Sequence, residues 1–266
     1  MSKLYILTLN WNGEEKLKKL TPTLLSSLQD IDYEWIIKDN CSTDKSIDYL
    51  KSLNNNRINI INYKDNLQNF AEGVNYTFKT ASPNDNDNIL LLNNDIIFND
   101  SDSLQKMLNI INNQDVGIVG AKLLYTNTNR LQHAGVVFHK EHHLPYHFRT
   151  KEIEDPIASK NRLFQAVTGA VLLTKAEYFK NGMDEKYHWA FEDIDLCLSI
   201  YFNLNKKIVY CGETNIFHDE SATLKKNPKD FFIPHNINYF LQKWRGRYII
   251  DHGLYLKNNK YNLYKP

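Results

Sequence analysis

Four polar clusters hold the residue types of this sequence that could do chemistry: Asp39-Asn40, Asn93-Asn94-Asp95, Glu192-Asp193 and His218. Each falls where a strand or apolar run is expected to end. Residues just past the carboxyl ends of parallel strands converge on one crevice in an open α/β sheet. Acidic groups gathered there suit a phosphorylated ligand and a cation. Mg2+ and Mn2+ prefer oxygen ligands and offset charge on a diphosphate. Glu192-Asp193 opens an expected helix, where the dipole and free amides favour anions. A carboxylate so placed can take a proton from an attacking hydroxyl.

The elements that must position these clusters show as strand–helix alternation. Apolar runs predict strands at Leu4–Leu9, Glu34–Lys38, Arg57–Tyr63 and Ile89–Leu92. Helices are expected at Glu14–Leu20, from Ser42-Thr43-Asp44 through Leu53, and from about Ala71 to Thr80. Pro22 is expected to break the first, with a second short helix capped by Thr21 and running to Leu28. The alternation predicts an α/β fold, a doubly wound and mostly parallel sheet.

The second half changes character. Val116–Tyr125 and Gly135–His139 read as strands around a turn at Thr126–Arg130, and Gln165–Thr174 and Lys207–Tyr210 as two more. Lys140–Asn161 is polar and weakly periodic, and reads as a long loop or lid. Helices are expected at Phe191–Phe202 and Asn236–Trp244.

Composition narrows the function classes. A net charge of +1 over 266 residues gives no reason to expect nucleic acid as a partner. Cys41, Cys197 and Cys211 lack metal-type spacing and fit reduced thiols in a cytoplasmic compartment. The amino-terminal apolar stretch is too brief and polar for a signal peptide, and no run has the length of a membrane span. The basic, aromatic stretch Lys243–Lys265 offers contact with the inner face of an anionic membrane. Packing of its aromatics on the domain is the simpler alternative. His139, His142, His143 and His147 tempt a zinc reading, but their spacing fixes no single face, and a polar loop is the better expectation.

No Gly-x-Gly-x-x-Gly and no P-loop occur. What stands after the first strand, Leu7-Thr8-Leu9-Asn10-Trp11-Asn12-Gly13, resembles the family 2 glycosyltransferases with the GT-A fold. Ile37 to Asp44 looks like the family's "DNxSxD" stretch, and Leu90 to Asp95 occupies the place of its DxD motif. Asn66 through Phe70 with Gly73 and Asn75, Thr168-Gly169-Ala170, Phe191 to Cys197, and His218 with Asp219-Glu220-Ser221 complete the ordered blocks. The most similar subgroup includes rhamnosyltransferase-like enzymes of surface polysaccharide synthesis.

The resemblance implies one GT-A domain over residues 1–266, with about 1–125 binding a UDP- or dTDP-sugar and about 126–266 binding a glycan acceptor. It implies Asp39 on the base or ribose, with Leu9 and Trp11 lining that pocket and Asn66, Phe70, Gly73, Asn93 and Asn94 completing the donor site. It implies Asp95 and His218 as ligands of Mn2+ or Mg2+, although Asn93 and Asn94 stand where many members carry acidic residues. It implies Asp193 as general base of an inverting transfer, Glu192, Thr168 and Gly169 on the acceptor, and Asp195 in support. Trp189 offers a flat face to a sugar ring or to the core. Two rivals stand: a sugar-nucleotidyltransferase, which would want a Gly-rich basic loop after the first strand, and a catalytically inactive module binding glycan or nucleotide sugar.

Overall fold

The computed structural model describes residues 2–62, 69–126, 128–188, 190–219 and 233–265. A large sheet runs β10-β12-β6-β11-β4-β1-β2-β3 in space, with β5 added on β12 and β7 on β6. Its first block is parallel: β1 (Leu4–Asn10), β2 (Tyr33–Asp39), β3 (Ile58–Asn62) and β4 (Asn88–Leu92). Strands β6 (Val116–Tyr125) and β12 (Lys207–His218) point the same way. The reverse direction is taken by β5 (Ile96–Phe98), β7 (Leu131–His133), β10 (Arg162–Phe164) and β11 (Val171–Lys175). The expected mostly parallel α/β sheet is therefore present, with β11 wedged antiparallel between β4 and β6.

Both faces of the sheet are covered, which is why its strands are apolar on both sides. Along β1, Leu4 and Ile6 enter one core with Trp35, Leu17 and Met107, while Tyr5 and Leu7 enter the other with Val74, Ile194 and Phe240. The covering helices are α1 (Glu14–Ser27), α2 (Ser46–Ser52), α3 (Phe70–Ala81), α4 (Ser103–Ile111), α5 (Ala176–Phe179), α6 (Glu192–Leu204), α7 (Ile233–Trp244) and α8 (His252–Lys257).

The break expected at Pro22 does not occur; α1 runs straight through it. An interior proline costs about 3 kcal/mol. Leu17, Leu20 and Leu24 are fully buried along one face, and each is worth roughly 1.5–3 kcal/mol. Burial wins. The Thr21 hydroxyl donates to the Leu17 carbonyl at 2.7 Å, within the turn that the proline disturbs.

The stretch expected to be a lid is instead built into the fold. β8 (Val136–Phe138) and β9 (Pro145–His147) form a hairpin. Beyond it Arg149 grips Asp155 with two bonds of 2.8 Å, and Phe148 and Ala158 are buried.

β12 is longer than its apolar run predicts because it carries a bulge. Between Cys211 and Ile216 its register slips against β6. Across the gap the Thr214 hydroxyl accepts the Lys122 amide at 2.8 Å and donates to the Cys211 carbonyl at 2.9 Å. A Cβ on Gly212 would lie 2.6 Å from the carbonyls of Ala158 and Lys160. Past the bulge β12 pairs with β5, His218 opposite Ile96.

The aromatics proposed for membrane contact are largely used inside the fold. Trp244, Tyr248, Tyr255 and Tyr264 are buried, leaving Ile249, Leu254 and Leu256 exposed. Among the described residues, no helix is long and apolar enough to cross a membrane.

Candidate active site

The carboxyl ends of β1, β2 and β4 meet in a lattice of hydrogen bonds. Asp39, 1% exposed, ends β2. Its Oδ1 accepts Asn10 Nδ2 at 2.9 Å and the Ser42 hydroxyl at 2.6 Å, and its Oδ2 accepts the Ser42 amide at 2.8 Å. Asn94 Nδ2 donates to Asn10 Oδ1 at 2.9 Å, tying in the end of β4. Gly13 has to be small, because a Cβ there would lie 2.3 Å from Asn10 Oδ1 and 2.5 Å from Asn94 Nδ2.

The neighbouring turn is equally saturated. Asn12 Oδ1 accepts the Thr43 amide at 2.7 Å, and Asp44 Oδ2 accepts the Glu14 amide at 2.9 Å. Although burial opposes it, bonds from the Ser46 hydroxyl and amide and from the Glu14 amide hold the Asp44 carboxyl below its usual range. Trp11 stands half exposed at the rim.

Asp95 and His218 are brought together by the β5–β12 ladder. The Asp219 amide donates to the Asp95 carbonyl at 2.9 Å, which fixes His218 beside the Asp95 side chain. His218 Nε2 lies 3.0 Å from Asp95 Oδ1 and 3.4 Å from the Asn93 side-chain amide. Despite that distance Asp95 Oδ1 accepts no aligned hydrogen bond among the described residues. Two ligand-type atoms facing each other without a directed bond fit a cation held between them. Asn93 would present its oxygen if its amide were turned over. The second Asp95 oxygen takes Lys16 Nζ at 3.1 Å, and Gln132 Oε1 lies 2.7 Å from His218 Nδ1. Burial favours the protonated form of Asp95, but His218 first and Lys16 next outweigh it and hold the carboxyl below its usual range.

Glu192 and Asp193 open α6 after Phe191, whose φ of 77° is left-handed. For an aromatic residue that is a strained backbone. Its ring is clamped between Tyr187 and Phe240. Asp193 Oδ2 accepts the Gly169 amide at 2.7 Å, and a Cβ on Gly169 would come within 3.0 Å of the Asp193 Cβ. Glu192 is 8% exposed and its Oε2 has no partner among the described residues. Burial first, then the Asp193 charge, push its carboxyl up to about 8.

A cavity of about 470 Å³ joins these groups. Asn93, His218 and Phe70 line it on one side, Thr168, Gly169, Glu192 and Asp193 on another, and the β8–β9 hairpin closes it through Pro145, Tyr146 and His147. His133, fully buried behind that wall, has no partner for Nδ1 among the described residues. Burial, with His147 and His218 adding to it, pushes its imidazole well below the usual range and keeps it neutral.

The expected residues thus divide. Asn93, His218, Glu192 and Asp193 line the cavity with Phe70, Thr168 and Gly169, and Asp95 stands against His218 at its edge. Asp39, Asn94 and Trp11 sit at the strand ends beside it. Gly73 serves packing: a Cβ there would lie 2.6 Å from Leu9 Cδ1, so it lets α3 rest on that leucine. Asp195 is buried and accepts Tyr187, Lys243 and Trp244, tying α6 to α7. Asn66 and Trp189 lie outside the described residues. Burial pushes the Cys197 and Cys211 thiols up, which matches their reading as structural.

Sequence reasoning missed Lys16, Gln132 and Asn236. Asn236, fully buried on α7, accepts the His188 amide at 3.1 Å and donates to the His188 and Ala190 carbonyls at 2.6 and 3.1 Å. It grips the backbone on both sides of position 189, just ahead of Glu192. A lone asparagine in an amphipathic helix gives no signal of this.

Comparison with known proteins places this geometry. The family model described as glycosyl transferase family 2 matches residues 5–158, more than half of the chain. Two curated relatives match, and the chain spans 21% and 13% of their lengths. One is the O-antigen biosynthesis protein RfbC of Myxococcus xanthus, 29% identical over 167 residues, or 60% of this chain and 13% of RfbC. Among solved structures, S. aureus TarS in complex with UDP-GlcNAc superposes with a TM-score of 0.64 at 14% identity, covering 94% of this chain and 69% of that one. GalNAc-T7 with UDP, GalNAc and Mn2+ gives 0.70 at 11% identity, covering 100% and 52%. At such identities the likeness establishes the fold, which is GT-A.

Proposed function

This chain belongs to glycosyl transferase family 2, and from that premise we propose that it moves a hexose or deoxyhexose from a UDP- or dTDP-sugar to a hydroxyl of a glycan acceptor, with inversion. The observation that carries the reading is Asp193: its carboxylate is aimed by the Gly169 amide into the same cavity that Asn93 and His218 line. The acceptor is assigned to surface polysaccharide assembly, which the O-antigen relative supports.

Residues 1–125 hold the donor and the later half the acceptor. Asp39 accepts from the base or ribose; a carboxylate has about four lone-pair sites, and the protein fills three. Trp11 lines the rim of that pocket. Asp95, His218 and Asn93 hold a divalent cation, a role favoured by the unaligned Asp95–His218 pair. When bound, that cation neutralises charge on the leaving diphosphate. Lys16 adds a fixed positive charge beside Asp95.

Asp193 takes the proton of the acceptor hydroxyl as its oxygen bonds to the anomeric carbon. The bond from that carbon to the phosphate oxygen breaks, and the nucleoside diphosphate leaves with the bonding pair. Thr168 and Gly169 line the acceptor side. Glu192, protonated at neutral pH, donates a hydrogen bond to an acceptor oxygen.

The test is slow hydrolysis of a panel of nucleotide sugars with Mn2+, with Mg2+ and with EDTA. Release of UDP or dTDP from one donor, suppressed by EDTA and in Asp95→Ala, is expected. Release that survives EDTA would retain the transferase and remove the cation. A donor-induced rise in Tm with no release under any condition would assign a binding module instead.

A further inference from the structure

We propose that His139, Glu141, His142 and His252 form a second metal site, selective for Zn2+ and separate from the cavity. The first three belong to the turn of the β8–β9 hairpin. Their ligand atoms all lie within 4.8 Å of one another. The turn is set by two backbone bonds, His139 N to the Leu144 carbonyl and His143 N to the His139 carbonyl, both 3.0 Å. It stacks the His139 and His142 rings 4.9 Å apart.

The fourth residue arrives from α8. Asp251, 3% exposed, accepts the Phe138 amide at 2.9 Å and Gln165 Nε2 at 2.7 Å, which anchors the start of α8 against the end of β8. His252 is thereby set 6.0 Å, ring centre to ring centre, from His139. Its Nδ1 is buried and has no hydrogen-bond partner among the described residues. The hydroxyl of Tyr146, whose ring lies 5.2 Å from that of His252, is also buried and unpartnered among the described residues. Buried polar atoms are ordinarily paired. Two unpaired ones beside a histidine–carboxylate group point to an absent ligand.

The donor set chooses the metal. Three imidazoles and a carboxylate suit Zn2+, whereas Mg2+ and Mn2+ favour oxygen. Bonds of about 2.0–2.1 Å place tetrahedral ligand atoms about 3.4 Å apart. The exposed side chains of Glu141 and His142 close that difference by rotation. His139 Nδ1 accepts the Glu141 amide at 3.2 Å; binding at either ring nitrogen gives up this long, exposed bond. His143 and His147 stay out: His147 packs on His133 with its Nδ1 3.2 Å from the Gln132 carbonyl. Bound zinc would clip the hairpin, and with it one wall of the cavity, to the carboxyl-terminal segment.

The test uses the full-length, untagged chain carrying His218→Ala, so that the cavity pair does not compete. ZnCl2 is titrated against a chromophoric chelator, with Tm followed in parallel. One equivalent is expected to bind, with a zinc-dependent rise in Tm. Both are expected to be lost in His142→Ala and His252→Ala and kept in His143→Ala. No binding, or binding unchanged in His142→Ala, would overturn the site. His142 is exposed, so His142→Ala tests the proposal even where His252→Ala fails to fold. Neither readout depends on glycosyl transfer.

Discussion

The parallel strand ends and the cavity beside them are built on opposite terms. At the ends of β1, β2 and β4, Asn10, Asp39, Ser42 and Asn94 satisfy one another before anything binds. At the cavity, Glu192 Oε2 and, behind its wall, His133 Nδ1 are buried without partners among the described residues, and the helix that opens with Glu192 starts from a strained Phe191. The first region lies at the ends of parallel strands, where the ladder fixes every side chain. The second is assembled from the 165–170 segment, a separate two-stranded hairpin and a helix start, outside the parallel ladder. A saturated lattice resists change and binds one fixed shape, whereas unpaired groups are specific for a ligand that supplies their partners.

Four changes would break or sharpen this contrast. Asp193→Asn is expected to act most strongly, lowering transfer about 10²–10⁴-fold while the donor-induced rise in Tm persists. A parallel loss of donor binding would mean that the two sides are not separate. Asp39→Ala is expected to raise the donor KM and to destabilise the chain by about 1–3 kcal/mol, because it strands Asn10 and Ser42. Calorimetry against an unaltered acceptor KM checks it.

Asn236→Ala frees the backbone around His188 and Ala190. It is expected to raise the acceptor KM severalfold with the donor KM unchanged. Equal effects on both would reduce Asn236 to a general structural role.

Glu192→Gln is the smallest. Folding raises the Glu192 pKa from 4.5 to about 8, so the folded chain keeps a proton that the unfolded chain sheds. Stability from this group is full below pH 4.5 and declines as pH rises toward 8. The glutamine, which cannot ionise, is expected to match the parent in Tm at pH 5 and to exceed it at pH 8. A parent melting curve flat with pH would contradict the buried, protonated reading.

The same contrast explains what was legible in the sequence. Strand ends of a parallel block announce themselves, because a fully apolar run must stop and the next polar residue must face the crevice. Asp39, Asn93 and Asp95 were readable for that reason, and the Glu192-Asp193 pair because it opens a helix. The three-residue strands β5, β7 and β10 are too short for any period to show. Pro22 misled because propensity is local and the leucine stripe that overrides it is tertiary. The histidines at 139, 142, 143 and 147 read as a polar loop because their spacing fixes no single face. The group that forms takes only two of them, and adds Glu141 and, in the site proposed above, His252 from more than a hundred residues away. Lys16 and Asn236 carry ordinary helix-surface residue types, and only their positions in space give them meaning.

The bulge in β12 has a consequence for how such a chain can vary. His218 faces Asp95 because the residues between Cys211 and Ile216 shift the strand against β6 before it reaches β5. Side chains alternate faces along a strand, so a slip of one position sends His218 to the far side. The guarded quantity in that segment is therefore its length. Several substitutions there can be absorbed, but an in-frame deletion of one residue between Gly212 and Asn215 would separate His218 from Asp95 while leaving every proposed site residue in the chain.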